Sequence, residues 1–133
     1  MDAEIRVPIR TDADIVTARQ EGKRLASQLD FTPSDLVVIA SAISEIARNI
    51  VEYASSGEVA ISLVDRNGRR GVSVIAQDIG PGIADTSMAM QDGFSTSGSL
   101  GLGLPGARRL MDEFELHSEV GRGTRVTMRK WAR

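Results

Sequence analysis

Two β-rich runs joined by an Asn-Gly turn fix the local architecture in the middle of this chain. Residues 58–65 (EVAISLVD) and 71–77 (GVSVIAQ) flank residues 66–69 (RNGR). Asn-Gly is favoured in two-residue hairpin loops because both of its residues readily adopt a positive φ. The sequence therefore predicts an antiparallel hairpin, whose second strand leads through Asp78 into glycine-rich sequence.

Helical periodicity precedes this hairpin, and alternation of apolar and polar residues returns after it. Apolar residues recur at helical spacing from Ile15 to about residue 30 and again from residue 33 to about 53. Thr32 before Pro33, with Asp35 three residues on, is typical of a capped helix start. The other predicted elements are strands at 4–9, 114–120 and 124–131 and helices near 85–92 and 105–112.

This order of elements predicts one α+β domain over residues 1–133. Its fold is a two-layer sandwich, with a mixed, mainly antiparallel sheet covered on one face by helices. A hydrophobic content of 41% and a charged content of 26% are ordinary for a globular protein and exclude a disordered or fibrous chain.

Composition also limits the partners that we expect. The absence of cysteine from the chain excludes disulfides and thiolate chemistry. A net charge of −2 provides no basic field for nucleic acid, so no nucleic-acid partner is expected. The apolar runs are too short to cross a bilayer, and the N-terminus lacks a secretory pattern. We therefore expect a cytoplasmic protein with no membrane partner.

Glu45 and Asn49 form the first candidate site. They lie four residues apart on the second predicted helix, so their side chains are offset by only roughly 40° around its axis. An Asn carbonyl oxygen can bind Mg²⁺, and a carboxylate beside it could polarise an attacking hydroxyl. The same spacing is more often just the solvated side of an amphipathic helix.

A second candidate lies where the predicted hairpin ends. Asp78 is followed by Gly80, Pro81 and Gly82, a composition that allows backbone and ligand to approach closely. A carboxylate there could accept a hydrogen bond from an exocyclic amine such as that of adenine. An ordinary Asp-Gly-Pro turn is the alternative interpretation.

The third candidate is the glycine-rich run at residues 93–106 (GFSTSGSLGLGLPG). Backbone N–H groups at a glycine-rich helix start commonly hold phosphates. A flexible linker would not need Leu100, Leu102 and Leu104, which alternate with glycine and indicate packing. The run contains no GxxxxGK[ST] sequence and is therefore not a P-loop.

Taken in chain order, these motifs resemble those of the GHKL ATPase superfamily. The ExxxN pair resembles its N-box, DIGPG its DxGxG box, GLGL its second glycine box, and GRGT at 121–124 its late Gly-Thr element. The resemblance extends from about residue 32 to 131 and implies the histidine-kinase-like ATPase fold. The segment between the glycine boxes, residues 83–100, is compact compared with the mobile lid of this family.

The resemblance implies ATP and Mg²⁺ as cofactors and a role for each matched residue. It implies that Asn49 holds Mg²⁺ between the phosphates, that Asp78 reads adenine, and that Thr124 supports the adenine through water. Glu45 is the implied general base for the incoming hydroxyl. The remaining implied nucleotide-binding residues are Gly80, Gly82, Gly101, Leu102, Gly103 and Leu104.

Within the superfamily, the chain is similar to the small bacterial serine kinases of sigma-factor regulation. The stretches SAISEIARNI, DGFSTSGSLGLGLPG and RRLMDEF resemble the stressosome switch kinases. That branch phosphorylates serine or threonine on STAS-domain proteins and, when released, activates a PP2C-type phosphatase.

Three alternatives remain open at the level of sequence. One is an anti-sigma kinase, which binds a sigma factor and phosphorylates its STAS-domain antagonist. Another is a binding module whose ATP site serves only as a conformational switch. The third is an ATP-hydrolysing fragment that works with a partner domain on another chain. The presence of Glu45 favours catalysis, because nucleotide sensing needs no general base.

Overall fold

A computed structural model describes residues 4–54, 56–78 and 103–132 of the chain. Within these ranges it contains five strands and three helices. In chain order they are β1 (Glu4–Ile9), α1 (Asp12–Ala26), α2 (Pro33–Tyr53), β2 (Gly57–Arg66), β3 (Arg69–Asp78), α3 (Gly103–Leu110), β4 (Glu113–Glu119) and β5 (Gly123–Trp131).

The strands form one sheet in the order β1-β2-β3-β5-β4, and every pairing among them is antiparallel. The predicted hairpin is confirmed, with Arg66 opposite Arg69 and positive φ angles of 57° at Asn67 and 83° at Gly68. β1 pairs directly with β2, although α1 and α2 lie between them in the sequence. The predicted α+β fold is thus confirmed.

The predicted element bounds agree with the structure to within a few residues. The first helix ends at Ala26 instead of near residue 30, and α3 begins at Gly103, two residues before the predicted start. The helix predicted near residues 85–92 lies outside the described residues. Within the described ranges, none of the helices combines the length and apolar character needed to cross a membrane.

The start of α2 is held by reciprocal hydrogen bonds between Thr32 and Asp35. The backbone N–H of Asp35 donates to Thr32 Oγ1 at 3.1 Å, and the N–H of Thr32 donates to Asp35 Oδ2 at 3.3 Å. Aspartate therefore fills the place that glutamate usually takes in a capping box. Asp14 plays a similar part at α1, where backbone bonds from Arg10 and Thr11 lower the pKa of its carboxyl.

Helix α2 forms the centre of the helical layer, between α1 and α3. Its residues Ile39, Ile43, Ile46 and Ile50 are each at most 2% exposed. Burying one such side chain contributes roughly 1.5–3 kcal/mol, so this stripe dominates the packing. Gly22 allows α1 to approach α2 closely, because a Cβ there would overlap Ile43 Cδ1.

The helices cover only one face of the sheet. The buried side chains on that face are Val7, Ile9, Val59, Ile61, Leu63, Val72, Val74, Ala76, Val126 and Met128. They alternate along each strand, as the period of two requires.

One end of the sheet is fastened by the carboxylate of Glu113 at the start of β4. It accepts hydrogen bonds from Arg66 Nη1 at 2.7 Å, Trp131 Nε1 at 2.8 Å and Arg129 Nη1 at 3.2 Å. The Arg66 guanidinium also lies 4.6 Å from the centre of the Trp131 ring. These bonds, with that from Arg66 first, lower the pKa of Glu113 from 4.5 to about 2.

We expect the substitution Glu113→Gln to remove part of the acid sensitivity of the fold. A lowered pKa means that Glu113 stabilises the native state above pH 4.5, and that this stabilisation is lost as the pH falls toward 2. Because the side chain is 32% exposed, solvent screening limits the effect to about 1 kcal/mol. Urea unfolding from neutral pH down to the acid range measures it.

The matched control is Glu115→Gln, two residues further along the same strand, for which no ion pair is seen among the described residues. The free-energy difference between wild type and Glu113→Gln should shrink as the pH is lowered. A difference that stayed constant with pH would contradict the role of the Glu113 charge.

Candidate functional site

The candidate site begins where the apolar face of the sheet ends. Asp78 is two residues beyond buried Ala76 on β3, and Thr124 is two residues before buried Val126 on β5. Side chains two residues apart on a strand share a face, so Asp78 and Thr124 lie on the helix-covered face, as Ala76 and Val126 do. The predicted residues Asp78 and Thr124 therefore lie on the same side of the sheet, at the same end.

The structure brings these two residues into contact. The backbone N–H of Thr124 donates to Asp78 Oδ1 at 3.1 Å, although 46 positions separate the residues in sequence. The register of β3 and β5 explains the contact. Gln77 pairs with Arg125, and because the strands are antiparallel, the next residue of β3, Asp78, lies beside the preceding residue of β5, Thr124. A carboxylate fixed in this way presents a defined acceptor at the sheet end.

Sequence reasoning missed Ser118, which supports Thr124 from the neighbouring strand. Ser118 pairs with Thr124 in the β4–β5 register, and its Oγ lies 2.9 Å from Thr124 Oγ1 and 3.1 Å from the carbonyl oxygen of Gly123. The alternation of Phe114, Leu116 and Ser118 was the available signal, because it places the serine on the inner face.

Asn49 on α2 has its amide oriented by the helix backbone. Its Nδ2 donates to the carbonyl oxygen of Glu45 at 3.2 Å, and the side chain is half-buried. With the amide nitrogen engaged in this way, Oδ1 is left as the oxygen that can bind a ligand. A neutral carbonyl oxygen suits Mg²⁺, which usually takes few protein ligands and fills its shell with phosphates and water.

The described residues could bind a metal ion only if phosphates and water supplied most of its ligands. Within the described ranges, no group of three or more His, Cys, Asp or Glu side chains could hold a metal ion by itself. Asn49 would thus contribute one oxygen, and nucleotide phosphates would supply the negative charge.

Glu45 is also half-buried, with 26% of its side chain exposed, and is paired with Arg48 one turn further along α2. Glu45 Oε1 accepts a hydrogen bond from Arg48 Nη1 at 3.0 Å. This contact fixes one carboxylate oxygen and leaves Oε2 for another donor. Partial burial distinguishes Glu45 and Asn49 from the fully solvated side of an amphipathic helix.

Gly57 joins the α2 motif to the Asp78 motif, and the sequence analysis did not identify it as part of the site. It faces Asp78 in the β2–β3 register. A Cβ at Gly57 would lie 2.5 Å from the Gln77 carbonyl oxygen, 2.9 Å from Ile50 Cγ2 and 3.0 Å from Asp78 Cβ. The absence of a side chain therefore lets Ile50, the residue after Asn49, and Asp78 both lie close to the backbone at Gly57.

Helix α3 carries the end of the second glycine box. It begins at Gly103 and packs against α2. The side chain of Leu104 is buried in the core, so only the backbone of this residue is available to a ligand. Gly80, Gly82, Gly101 and Leu102 lie outside the described residues, as does the segment 83–100.

Known proteins share the sequence family of this chain. Residues 9–130 match the family described as the histidine kinase-like ATPase domain. The chain is 50% identical to the serine/threonine-protein kinase RsbT of Bacillus subtilis over 133 residues, which is all of both chains. It is 30% identical to an anti-sigma F factor of Clostridium kluyveri over 117 residues, covering 85% of this chain and 82% of the relative.

Solved structures share the fold at lower sequence identity. The mycobacterial sensor histidine kinase MprB is 16% identical, with a TM-score of 0.59 and coverage of 97% of this chain and 99% of its own. A Mycobacterium tuberculosis chain with RsbU and RsbW domains is 22% identical, also with a TM-score of 0.59. That match covers 98% of this chain but 33% of the other.

We expect Gly57→Ala to weaken ATP binding more than its effect on stability explains. The added methyl group would lie closest to the Gln77 carbonyl oxygen, so the end of β3 that carries Asp78 must shift, and overpacking of this kind costs typically about 1–3 kcal/mol of stability. Displacement of Asp78 should also reduce ATP affinity about tenfold, which isothermal titration calorimetry on folded protein measures.

Gly71→Ala is the matched control, because its Cβ would meet the Lys130 carbonyl oxygen at 2.6 Å and Trp131 Cε3 at 2.7 Å, at the opposite end of β3. It should destabilise the fold comparably and leave ATP affinity unchanged. Equal losses of affinity in the two variants would show that Gly57 has no particular relation to the site.

Proposed function

Because the chain belongs to the histidine kinase-like ATPase domain family, we propose that it transfers the γ-phosphoryl group of ATP to a STAS-domain regulatory protein. The chain is a serine/threonine-protein kinase, like its full-length relative RsbT. The observation that carries the proposal is the arrangement on α2, where the carboxylate of Glu45 and the oriented amide of Asn49 lie one turn apart.

The end of the sheet supports a role in nucleotide recognition. Asp78 and the hydroxyl of Thr124 both offer oxygen acceptors on the helix-covered face, and the backbone N–H of Thr124 holds the Asp78 carboxylate in place. An exocyclic amine, which carries two N–H donors, complements such acceptors. We therefore assign adenine recognition to Asp78, with Thr124 supporting it through a water molecule.

The chemical step is assigned to Glu45. The acceptor hydroxyl oxygen forms a bond to the γ-phosphorus, the bond from that phosphorus to the β–γ bridging oxygen breaks, and ADP leaves. Glu45 takes the hydroxyl proton, while its ion pair with Arg48 fixes the carboxylate. Asn49 Oδ1, together with the phosphates, would hold Mg²⁺, and the ion would supply charge neutralisation, which dominates phosphoryl transfer together with positioning.

The glycine boxes complete this proposal. Backbone N–H groups of Gly101, Leu102, Gly103 and Leu104 are assigned to the phosphates, and Gly80 and Gly82 to the turn beside adenine. Support comes from the start of α3 at Gly103, since the first N–H groups of a helix have no partner within the helix and suit an anion.

For the cellular role, we favour a switch kinase of the stressosome, acting in the cytoplasm on a STAS-domain scaffold. On release it would activate a PP2C-type phosphatase. The second candidate, an anti-sigma factor that also phosphorylates a STAS-domain antagonist, is favoured by the anti-sigma F factor relatives. Co-purification distinguishes them, since only the second predicts a bound sigma factor.

We expect Glu45→Gln to lower phosphate transfer to a STAS-domain protein by about 100-fold or more while ATP binding is retained. The amide keeps the shape of the side chain but cannot accept the hydroxyl proton. Asn49→Ala should lower transfer at least as much and also weaken Mg-ATP binding. Transfer of radiolabelled γ-phosphate, together with calorimetric ATP titration, measures both effects.

The matched control is Glu21→Gln, because Glu21 is paired with Arg24 at the same helical spacing as Glu45 with Arg48, but on α1. It should transfer phosphate at the wild-type rate. If the wild type bound ATP but labelled no STAS-domain protein, the kinase proposal would give way to a nucleotide-switched binding module.

A further inference from the structure

The C-terminal end of α3 is tied to the last residues of β5. The backbone N–H of Asp112 donates to the Arg129 carbonyl oxygen at 3.0 Å, and the backbone N–H of Trp131 donates to Asp112 Oδ2 at 2.8 Å. Lys130 Nζ donates to the carbonyl oxygen of Leu110, the last residue of α3, at 3.3 Å and lies 3.8 Å from Asp112 Oδ1. We call this set of contacts the α3–β5 tie.

Lys130 has the chemistry that is needed to hold the end of a helix. The last four carbonyl groups of an α-helix have no partner within the helix, and the Leu110 carbonyl is one of them. A cation at this end also interacts favourably with the helix dipole. Only 16% of the Lys130 side chain is exposed, so solvent and salt screen its charge less than that of a surface lysine.

Apolar packing alone constrains α3 less well along its own axis. Leu104 and Ala107 on α3, and Met111 directly after it, are buried in the core, where α3 packs against α2. Apolar contacts of this kind are non-directional, whereas hydrogen bonds require a narrow range of distances and angles. The tie therefore supplies the directional contacts that place α3 relative to the sheet.

Strand β5 connects the tie to the other end of the candidate site. Thr124, whose backbone N–H holds Asp78 Oδ1, lies six residues before Lys130 on this strand. An even separation on a strand puts both side chains on the helix-covered face. The position of the start of α3 at Gly103 relative to the Asp78 carboxylate therefore depends on β5 and the tie.

We propose that Lys130 is a positioning residue for the phosphate groups of the nucleotide, because its tie between α3 and β5 sets the start of α3 relative to the adenine end of the site. This inference rests on the proposed assignment of adenine to Asp78 and of the phosphates to the start of α3. Lys130 does not contact the nucleotide in this proposal. Its effect is to orient the phosphate-binding N–H groups before the nucleotide arrives, which lowers the cost of binding.

The test compares ATP with adenosine, which has the same base but no phosphate groups. Competition with a fluorescent ATP analogue gives both affinities for the wild type and for Lys130→Met, which keeps an unbranched side chain without charge or N–H donors. We expect Lys130→Met to lower the ATP affinity about fivefold and to leave the adenosine affinity unchanged. Lys130→Arg retains a cation that can donate to a carbonyl oxygen and should restore most of the ATP affinity.

Arg129→Met is the matched control. Arg129 directly precedes Lys130 on β5 and is likewise paired with an acidic residue, Glu113, but its side chain faces away from the helices. It should leave the ratio of ATP affinity to adenosine affinity at the wild-type value.

The outcomes separate this proposal from the proposed function. A purely structural role for Lys130 would lower both affinities by the same factor, and an unchanged ratio in Lys130→Met would overturn the positioning role alone. An equal fall of the ratio in Arg129→Met would overturn it as well. A wild type that bound no ATP would overturn the kinase proposal together with it.

Discussion

The alternation of side chains along three neighbouring strands is the constraint on which the rest of this structure depends. On the helix-covered face, each strand changes from apolar to polar within two residues: Ala76 to Asp78, Val126 to Thr124 and Leu116 to Ser118. Because the period of two keeps these polar groups on the face of the core, the helices that cover the core also border the site. The candidate site is thus the polar margin of the hydrophobic core.

At Gly57, the packing of the hydrophobic core also affects the candidate site. The isoleucines of α2 bury the helix against the sheet, and the last of them, Ile50, follows Asn49 directly. Both Ile50 and Asp78 lie close to Gly57, where a Cβ would meet each of them at 3.0 Å or less, so close packing around this glycine links α2 to the end of β3. A side chain at Gly57 would push apart the motif on α2 and the motif that begins at Asp78, which are separate in the sequence.

Local features of the fold could be predicted from sequence because their causes are local. The Asn-Gly hairpin, the cap formed by Thr32 and Asp35, and the α2 stripe each depend on residues that are close together in the chain. The motif residues Glu45, Asn49, Asp78 and Thr124 were found through an ordered resemblance, whose assignment of roles is still a proposal. The contact between Asp78 and Thr124 depends on strand register, which one sequence does not specify.

Other residues were missed for a different physical reason. Ser118 and Gly57 carry no charge and match no motif, and their importance arises only from what lies next to them in space. The first helix ends before residue 30, where its apolar pattern stops. Leu29 belongs to that pattern because it packs into the core, but it does so from outside the helix.

The cluster around Glu113 has a practical consequence for spectroscopy of this protein. Trp131 is the single tryptophan of the chain, is 8% exposed, and lies under Arg66 at the end of the sheet opposite Asp78. We therefore expect its fluorescence to report whether the sheet is intact and to change little with events at the end that carries the candidate site. Intrinsic fluorescence can follow unfolding of this chain in the presence of ligand, while occupancy of the site calls for a probe placed elsewhere.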